Sequence, residues 1–371
     1  MNAVIRLIDS LLPNGARFES IGNVAIVGTG SSDRKNATDD GKYPFYVRSR
    51  EVLGIDSFEF DEEAILIPGE GGIGEIFHYV HGKYALHQRA YRISFTTPQI
   101  DVKFAYYYFA ANFKKFILAK AVSATVVSIR KPMITDFRIP IPPLEVQREI
   151  VRILDQFTQL EAELEAELEA RRAQYDHYRS LLLNSHYASE KQKEIKEVLD
   201  LRAGRFIAAS RISGVQDEEN RIPCFGGGGL RGFVNEANQN GDHVLIGRQG
   251  ALCGNVKRAL GEFYATEHAV VVSPLEELDM SWVYHKLASM KLNQYASKSA
   301  QPGLAVGTLN KLEIRIPPLS DQKEIGRVLD SMDSLVNDLE RGLPAELKAR
   351  RQQYAYYRDR LLTFKEVEVE A

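Results

Sequence analysis

Beginning at Ile150, apolar side chains recur at Ile150, Ile153, Phe157, Leu160 and Leu164. This 3-4-3-4 spacing lines one face of a helix. After a shift of four residues the stripe resumes with Leu168, Tyr175, Tyr178 and Leu182, the kind of stutter that locally unwinds a supercoil. The pattern predicts one helix over about 144–183, roughly 60 Å long. The same stripe returns as Ile325, Val328, Met332, Leu335 and Leu339. Gly342 and Pro344 then break or kink it before Leu347, Tyr354, Tyr357 and Leu361. Leu154 and Leu329 lie beside the stripe at matching positions. A narrow stripe on so long a helix is not buried by the helix itself, so the two helices are expected to pair antiparallel. Packing of each helix on its own globular domain is the alternative.

What precedes each helix explains why the stripe recurs. IPPLEVQREIVRILD at 141–155 matches IPPLSDQKEIGRVLD at 316–330, an offset of 175. Arg171-Arg172, Tyr175 and Tyr178 match Arg350-Arg351, Tyr354 and Tyr357 at an offset of 179. The second copy has therefore gained four residues, around Gly342–Ala345. Order and length of the matches identify an internal duplication. Each double proline stops the incoming strand and leaves a helix free to start after it.

The segments before the helices repeat more faintly. GKYPFY (41–46) faces NRIPCF (220–225), and AILIPGEGGIG (64–74) faces HVLIGRQGALCG (243–254). Apolar strands here run into glycine-rich turns. GKYALHQRAYRIS (82–94) faces GEFYATEHAVVVS (261–273), which places His87 and His268 at nearly equivalent positions. Helices are expected at 102–120 and 278–297, and an amphipathic one at 2–12 from Val4, Leu7, Ile8 and Leu11. The fold class is α+β: two similar globular domains of mixed strand and helix, separated by two long antiparallel coiled-coil helices, with a pseudo-twofold repeat. The expected boundaries are a first domain at 1–140, a helix at 141–186, a second domain at 187–315 and a helix at 316–371.

Charge changes this picture slightly. The chain carries 50 acidic residues against 47 Lys and Arg, a net charge of −3. Residues 145–180 and 319–371 hold 20 of those acids and 14 of the bases, leaving 30 acids and 33 bases elsewhere. The acid is concentrated in the helices, and the remainder is mildly basic. No apolar run reaches the length of a membrane span and no secretory h-region is present; a cytoplasmic location is expected. Cys224 and Cys253 form no C-x-x-C pair, so neither a disulfide framework nor a zinc site is indicated. Chemistry is otherwise scarce. There is no P-loop, G-x-S-x-G or H-E-x-x-H motif. GEGGIG and FGGGGL lack the strand–helix context of a dinucleotide site and read as turns. No catalytic, metal or cofactor site is expected.

IPIPPLEVQREIVRILDQFTQLEAELEAELEARRAQYDHYR at 139–179 resembles the central conserved region of the specificity (S) subunit of type I restriction–modification systems. IRIPPLSDQKEIGRVLD, together with GLPAELKARRQQYAYYRDRLLTF, at 314–364 resembles its distal region. The segments ILIPGEGGIGEIFHYVHGKYALHQRAYRIS and HVLIGRQGALCGNV are similar to its two target-recognition domains, so the resemblance covers nearly the whole chain. The resemblance implies a non-catalytic subunit in which each domain reads one half of a bipartite, asymmetric site in double-stranded DNA. The helices set the spacing and dock two methyltransferase subunits, which use S-adenosylmethionine, and restriction/translocase subunits join them. The rival reading is a coiled-coil adaptor whose globular halves bind proteins.

Base-reading residues are nominated by chemistry alone. Arginine suits guanine, Asn and Gln suit adenine, and lysine and hydroxyls beside glycine turns suit phosphates. In the first half these are Arg34, Lys35, Arg48, His87, Gln88, Arg89, Thr125 and Arg130; in the second, Arg231, Arg248, Gln249, Asn255, Lys257, His268, Gln301 and Asn310. The helix-pair and partner interface is expected from Ile150, Leu154, Phe157, Leu160, Leu164, Leu168, Tyr175 and Tyr178, with Ile325, Leu329, Met332, Leu335, Leu339, Leu347, Tyr354 and Tyr357 in the second copy.

Overall fold

The structure is a computed structural model that describes residues 10–72, 74–120, 128–185, 191–298, 301–338 and 341–367. The chain forms two compact units: Met1–Glu163 with Leu347–Ala371, and Leu164–Glu346. Each unit thus takes one globular domain and a length of both repeated helices. The amphipathic helix expected at 2–12 lies mostly outside the described residues, and only Ser10 and Leu11 are seen in helical conformation.

In the first unit, β1 (Arg17–Ser20) pairs antiparallel with β8 (Arg138–Ile141), closing the domain where the chain leaves it. A single helical turn, α1 (Ile21–Val24), leads into a six-stranded sheet of order β2-β7-β5-β6-β3-β4. Its strands are β2 (Ala25–Thr29), β3 (Tyr43–Tyr46), β4 (Val52–Ile55), β5 (Phe60–Pro68), β6 (His78–Leu86) and β7 (Ala90–Phe95). All pairings are antiparallel except β3 with β6. The second half of β5 is buried on both faces, which is why AILIP reads as an unbroken apolar run rather than an alternation. Ile65 and Ile67 face α2 (Val102–Lys120) and its Phe104, Phe109 and Phe113, whereas Ala64 and Leu66 pack with Tyr84 and Leu86 on the other face. A short helix, α3 (Lys131–Thr135), precedes β8.

The second unit repeats this plan strand for strand. β9 (Lys191–Glu194) pairs with β16 (Glu313–Ile316), and the turn α5 (Ile195–Val198) leads into a sheet of order β10-β15-β13-β14-β11-β12. These strands are β10 (Leu199–Ala203), β11 (Ile222–Gly226), β12 (Gly229–Val234), β13 (Gln239–Gly247), β14 (Val256–Ala265) and β15 (Ala269–Pro274). β11 with β14 is again the parallel pair. Two helices complete the domain: α6 (Met280–Ser289), shorter than the expected 278–297, and α7 (Val306–Leu309).

A long helix, α4 (Leu144–Asn184), runs for 41 residues and spans both units. The second repeated helix is interrupted, giving α8 (Leu319–Asn337) and α9 (Leu343–Leu361). Asp338 turns into extended backbone, and the Gly342 N–H returns to the Asp338 carbonyl at 3.1 Å. A Cβ on Gly342 would lie 2.5 Å from the Ser334 carbonyl oxygen, so only glycine folds back so closely over the end of α8. Leu339 lies outside the described residues.

A fully buried glutamine fastens each repeated helix to its domain. Gln147 Oε1 accepts from the Asp101 N–H (2.8 Å), while its Nε2 donates to the carbonyls of Gln99 (2.8 Å) and Pro142 (2.7 Å). Asp101 in turn accepts from the N–H groups of Lys103 and Phe104, capping α2. In the second unit Gln322 accepts from the Asp279 N–H (3.0 Å) and donates to Pro317 (2.9 Å), and Asp279 caps α6 through the Trp282 N–H (2.8 Å). Two helical turns on, Asp155 accepts from Tyr107 (2.6 Å) and Lys103 (2.7 Å). Its repeat, Asp330, accepts from His285 Nε2 (2.9 Å) and Arg258 (3.1 Å). His285 is fully buried, and that burial pushes its pKa below the ordinary imidazole value despite Asp330. With its proton on Nε2, its Nδ1 is the acceptor for the Tyr175 hydroxyl at 3.3 Å.

Two outcomes follow for the second unit, both readable from the fluorescence of Trp282, the single tryptophan of the chain. Gln322→Leu leaves the Asp279 N–H and Pro317 carbonyl unpaired and is expected to lower unfolding free energy in urea by about 2–3 kcal/mol. Acidification is expected to destabilise as well. The folded pKa of His285 is depressed, so its contribution is complete above the unfolded value of about 6.5 and falls away below it. His285→Gln should flatten the urea midpoint between about pH 7.5 and 5.5.

Candidate nucleic-acid interface

In the first unit, four connections meet at one end of the sheet: those after β2, β3 and β5, and the turn before β7. Their crossings are tight. Ser32 bridges His87, the Gln88 N–H donates to the Ser32 carbonyl at 2.9 Å, and the Gly69 N–H donates to Arg89 at 2.8 Å. A Cβ on Gly30 would fall 1.8 Å from the Leu86 carbonyl oxygen, so glycine is required where the first connection crosses. Arg34 and Lys35 sit exposed on a 3-10 turn capped by Asp33, which also accepts from Gln88 Nε2 at 3.0 Å. Arg34, Arg48, Glu70 and His87 line a cavity of about 210 Å³.

Glu70 organises this cluster. Its Oε2 accepts from Arg48 (2.9 Å) and Arg89 (3.1 Å), and its Oε1 has a longer contact of 3.4 Å with Arg89. Arg89, then Arg48, hold its carboxyl below the ordinary range. His87 is buried, which pushes its pKa down, and its Nδ1 accepts from the Arg89 N–H at 3.0 Å. This histidine therefore shapes the turn rather than presenting a charge. Arg130 is exposed beside Ser128 and Ile129, which pair with Glu70 and Gly69. Thr125 lies outside the described residues.

The second unit builds the same end from other side chains. The Arg248 N–H donates to His268 (3.0 Å), Gln249 bridges Gly303, and the Gly250 N–H donates to Pro302 (3.0 Å), next to the exposed Gln301. FGGGGL is the tip of the β11–β12 hairpin, as its turn reading implied. A Cβ on Gly227 would press on the carbonyls of Gln249 and His268 at 3.0 and 3.2 Å, so glycine lets the tip lie against them. The alkyl chains of Arg231 and Lys257 cover Gly226 and Gly229, and Asn255 Nδ2 reaches the Gly228 carbonyl at 3.4 Å. Three buried polar atoms here lack a protein partner: Arg248 Nε, Glu267 Oε2 and His268 Nδ1.

Two readings of the sequence change. Asn310 does not join the cluster: it ends α7, where its carbonyl accepts from the Lys196 N–H at the opposite end of β10. His268 is not the counterpart of His87. His87 and Thr266 each accept through the side chain from the N–H two residues on, so Thr266 matches His87 and His268 matches Arg89. Glu70, a carboxylate, falls outside the arginine, lysine, amide and hydroxyl chemistry by which the candidates are nominated. Its repeat partner 179 residues later is Gln249, which was nominated, so the offset held the signal.

The helical positions also divide. Ile150 and Leu154 are fully buried in the core of the first domain, with Leu361 and Leu362. Ile325 and Leu329 are buried where α8 packs on α6. Domain packing therefore claims the first turns of each helix. The antiparallel pairing appears farther along, where Phe157 meets Tyr357 and Tyr354 at 5.7 and 6.1 Å and Arg351 pairs with Glu161 at 2.6 Å. Leu168, Tyr175 and Leu347 are buried, and Leu164 and Met332 are partly so. Tyr178, Leu160 and Leu335 are exposed, the last two at 46% and 42%.

A family profile for the type I restriction modification DNA specificity domain matches residues 14–170 and again 189–349. The EcoprrI type I restriction enzyme specificity subunit of Escherichia coli is 42% identical over 298 residues, covering 76% of this chain and 73% of that protein. The crystal structure of a type I restriction–modification S subunit from M. genitalium superposes with a TM-score of 0.68 at 17% identity, covering 93% of this chain and 96% of that one. A chain from a structural study of type I complex assembly and conformational transition superposes at 0.57 with 16% identity, covering 95% and 98%. Among the described residues no helix is long and apolar enough to cross a membrane. With its fold and its tandem domains matched alike, the chain belongs to the type I restriction–modification DNA specificity family, as a specificity subunit with two tandem recognition domains.

Proposed function

We propose that the loop-bearing end of each sheet reads one half of a bipartite, asymmetric duplex site. One observation carries this reading: the same backbone surface is built twice with different side chains. Gly69, Glu70, Gln88 and Arg89 in the first unit become Arg248, Gln249, Glu267 and His268 in the second. Equal scaffolds with unequal donor and acceptor patterns suit two different base sequences. The exposed Arg34, Lys35 and Arg130, and Arg231 and Lys257, supply sequence-independent phosphate contacts beside them.

The helices serve the partners in this reading. Leu160 and Leu335 stand at equivalent positions of the duplication and both remain exposed, although the stripe positions beside them, Phe157, Leu164 and Met332, are partly buried. A repeated exposed leucine suits two copies of one partner, here the methyltransferase subunit, with S-adenosylmethionine bound on that partner and restriction/translocase subunits added to it. The subunit itself supplies recognition and spacing, in the cytoplasm where host DNA is met.

Exchanging residues 18–138 for those of a relative with another target should change one half-site and leave the other intact, as read by methylation mapping of the assembled complex. Duplex binding by that complex should weaken steeply with salt; salt-insensitive or absent DNA binding overturns the reading. Leu160→Asp and Leu335→Asp should each lower the methyltransferase-to-specificity subunit ratio from two towards one in native mass spectra, without altering either half-site.

A further inference from the structure

The Glu70 carboxylate is the odd member of a surface built for a polyanion. A group that served only phosphates would gain nothing from a carboxylate set between two guanidinium groups. Phosphate would be repelled by it, and the charge of Arg48 and Arg89 is half neutralised. The scaffold does not require it either. Gln249 occupies the equivalent place, and its bridge to Gly303 reproduces the bridge of Glu70 to Ser128. Glu70 is nevertheless held: Oε2 takes both arginines at 2.9 and 3.1 Å, whereas Oε1 keeps only the 3.4 Å contact. Its side chain is 40% exposed, and those of Arg48 and Arg89 are 45% and 59% exposed.

A carboxylate oxygen offers about two lone pairs and no proton. With Oε2 filled and oriented, Oε1 remains as a fixed acceptor flanked by donors. In the major groove only the exocyclic amines, cytosine N4 and adenine N6, can donate to such a group, whereas guanine and thymine present O6 and O4 acceptors there. An acceptor placed against an acceptor excludes it, which is how a site rejects a wrong partner.

We propose that Glu70 is a specificity-determining residue of the first half-site: it accepts from the exocyclic amine of one cytosine or adenine and excludes guanine and thymine at that position. Arg48 and Arg89 position its carboxylate. The inference rests on the proposed reading of DNA by this face. In the second half-site, Gln249 carries an amide with both donor and acceptor and does not impose this exclusion.

The test is methylation of a randomised duplex library by the complete complex, carrying wild-type subunit, Glu70→Gln or Gln249→Glu. Glu70→Gln should relax discrimination at one position of the first half-site by about tenfold or more and leave the second half-site unchanged. Gln249→Glu should impose an amine-bearing base at one position of the second half-site. Unchanged half-sites in both variants would overturn the inference, as would a uniform gain in binding to every sequence, which marks Glu70 as a charge regulator only. A wild-type complex with no bipartite preference would instead refute the parent reading, so the two failures are distinguishable.

Discussion

Everything on the loop-bearing ends depends on a side-chain amide buried at the foot of each long helix. Gln147 and Gln322 join three pieces through one side chain: the double proline, the first turn of the repeated helix and the start of the domain helix. A buried amide is costly unless its donors and acceptor are met, so its geometry tolerates little change. The prolines matter to it as acceptors as much as helix breakers. Asp155 and Asp330 add a second point of attachment two turns along, through Tyr107 in one unit and His285 in the other. Two points on one axis fix how each long helix crosses its domain.

That rigidity allows the opposite end to vary. The strand order, the parallel pair, the crossings at Gly69 and Arg248, and the turn bonds at His87 and Thr266 are common to both units. The side chains carried on them are not. Loops positioned by a constant scaffold are the usual place for recognition, and here one molecule holds two solutions on the same frame.

The sequence exposed the frame more readily than the surface. Periodicity revealed α4, and the offset of 175 between the two double prolines located the repeat. The Gly342 and Pro344 pair announced the break between α8 and α9. What stayed hidden was the competition for the apolar stripe: Ile150 and Leu154 fit a helix pair by spacing, but a nearby sheet and α2 offered a larger surface to bury them. Asn310 and Arg248 looked alike as polar residues near glycine or a turn, and only the path of β10 separates them. Glu70 needed its two arginines brought together from positions 22 and 19 residues away, which no local pattern encodes.

The first unit is assembled from distant parts of the chain, and this orders its formation in time. Leu361 and Leu362 fill the same core as Ile21 and Phe104, Phe364 meets Phe104 at 6.0 Å, and Arg138 pairs with Glu366 across 228 residues. During synthesis, residues 10–163 leave the ribosome with that corner open, while residues 164–346 have every element of their unit in one continuous stretch. The second recognition domain can therefore close as soon as it emerges, and the first, although made earlier, is finished last. Contacts at such separation are slow to form and leave apolar surface uncovered meanwhile.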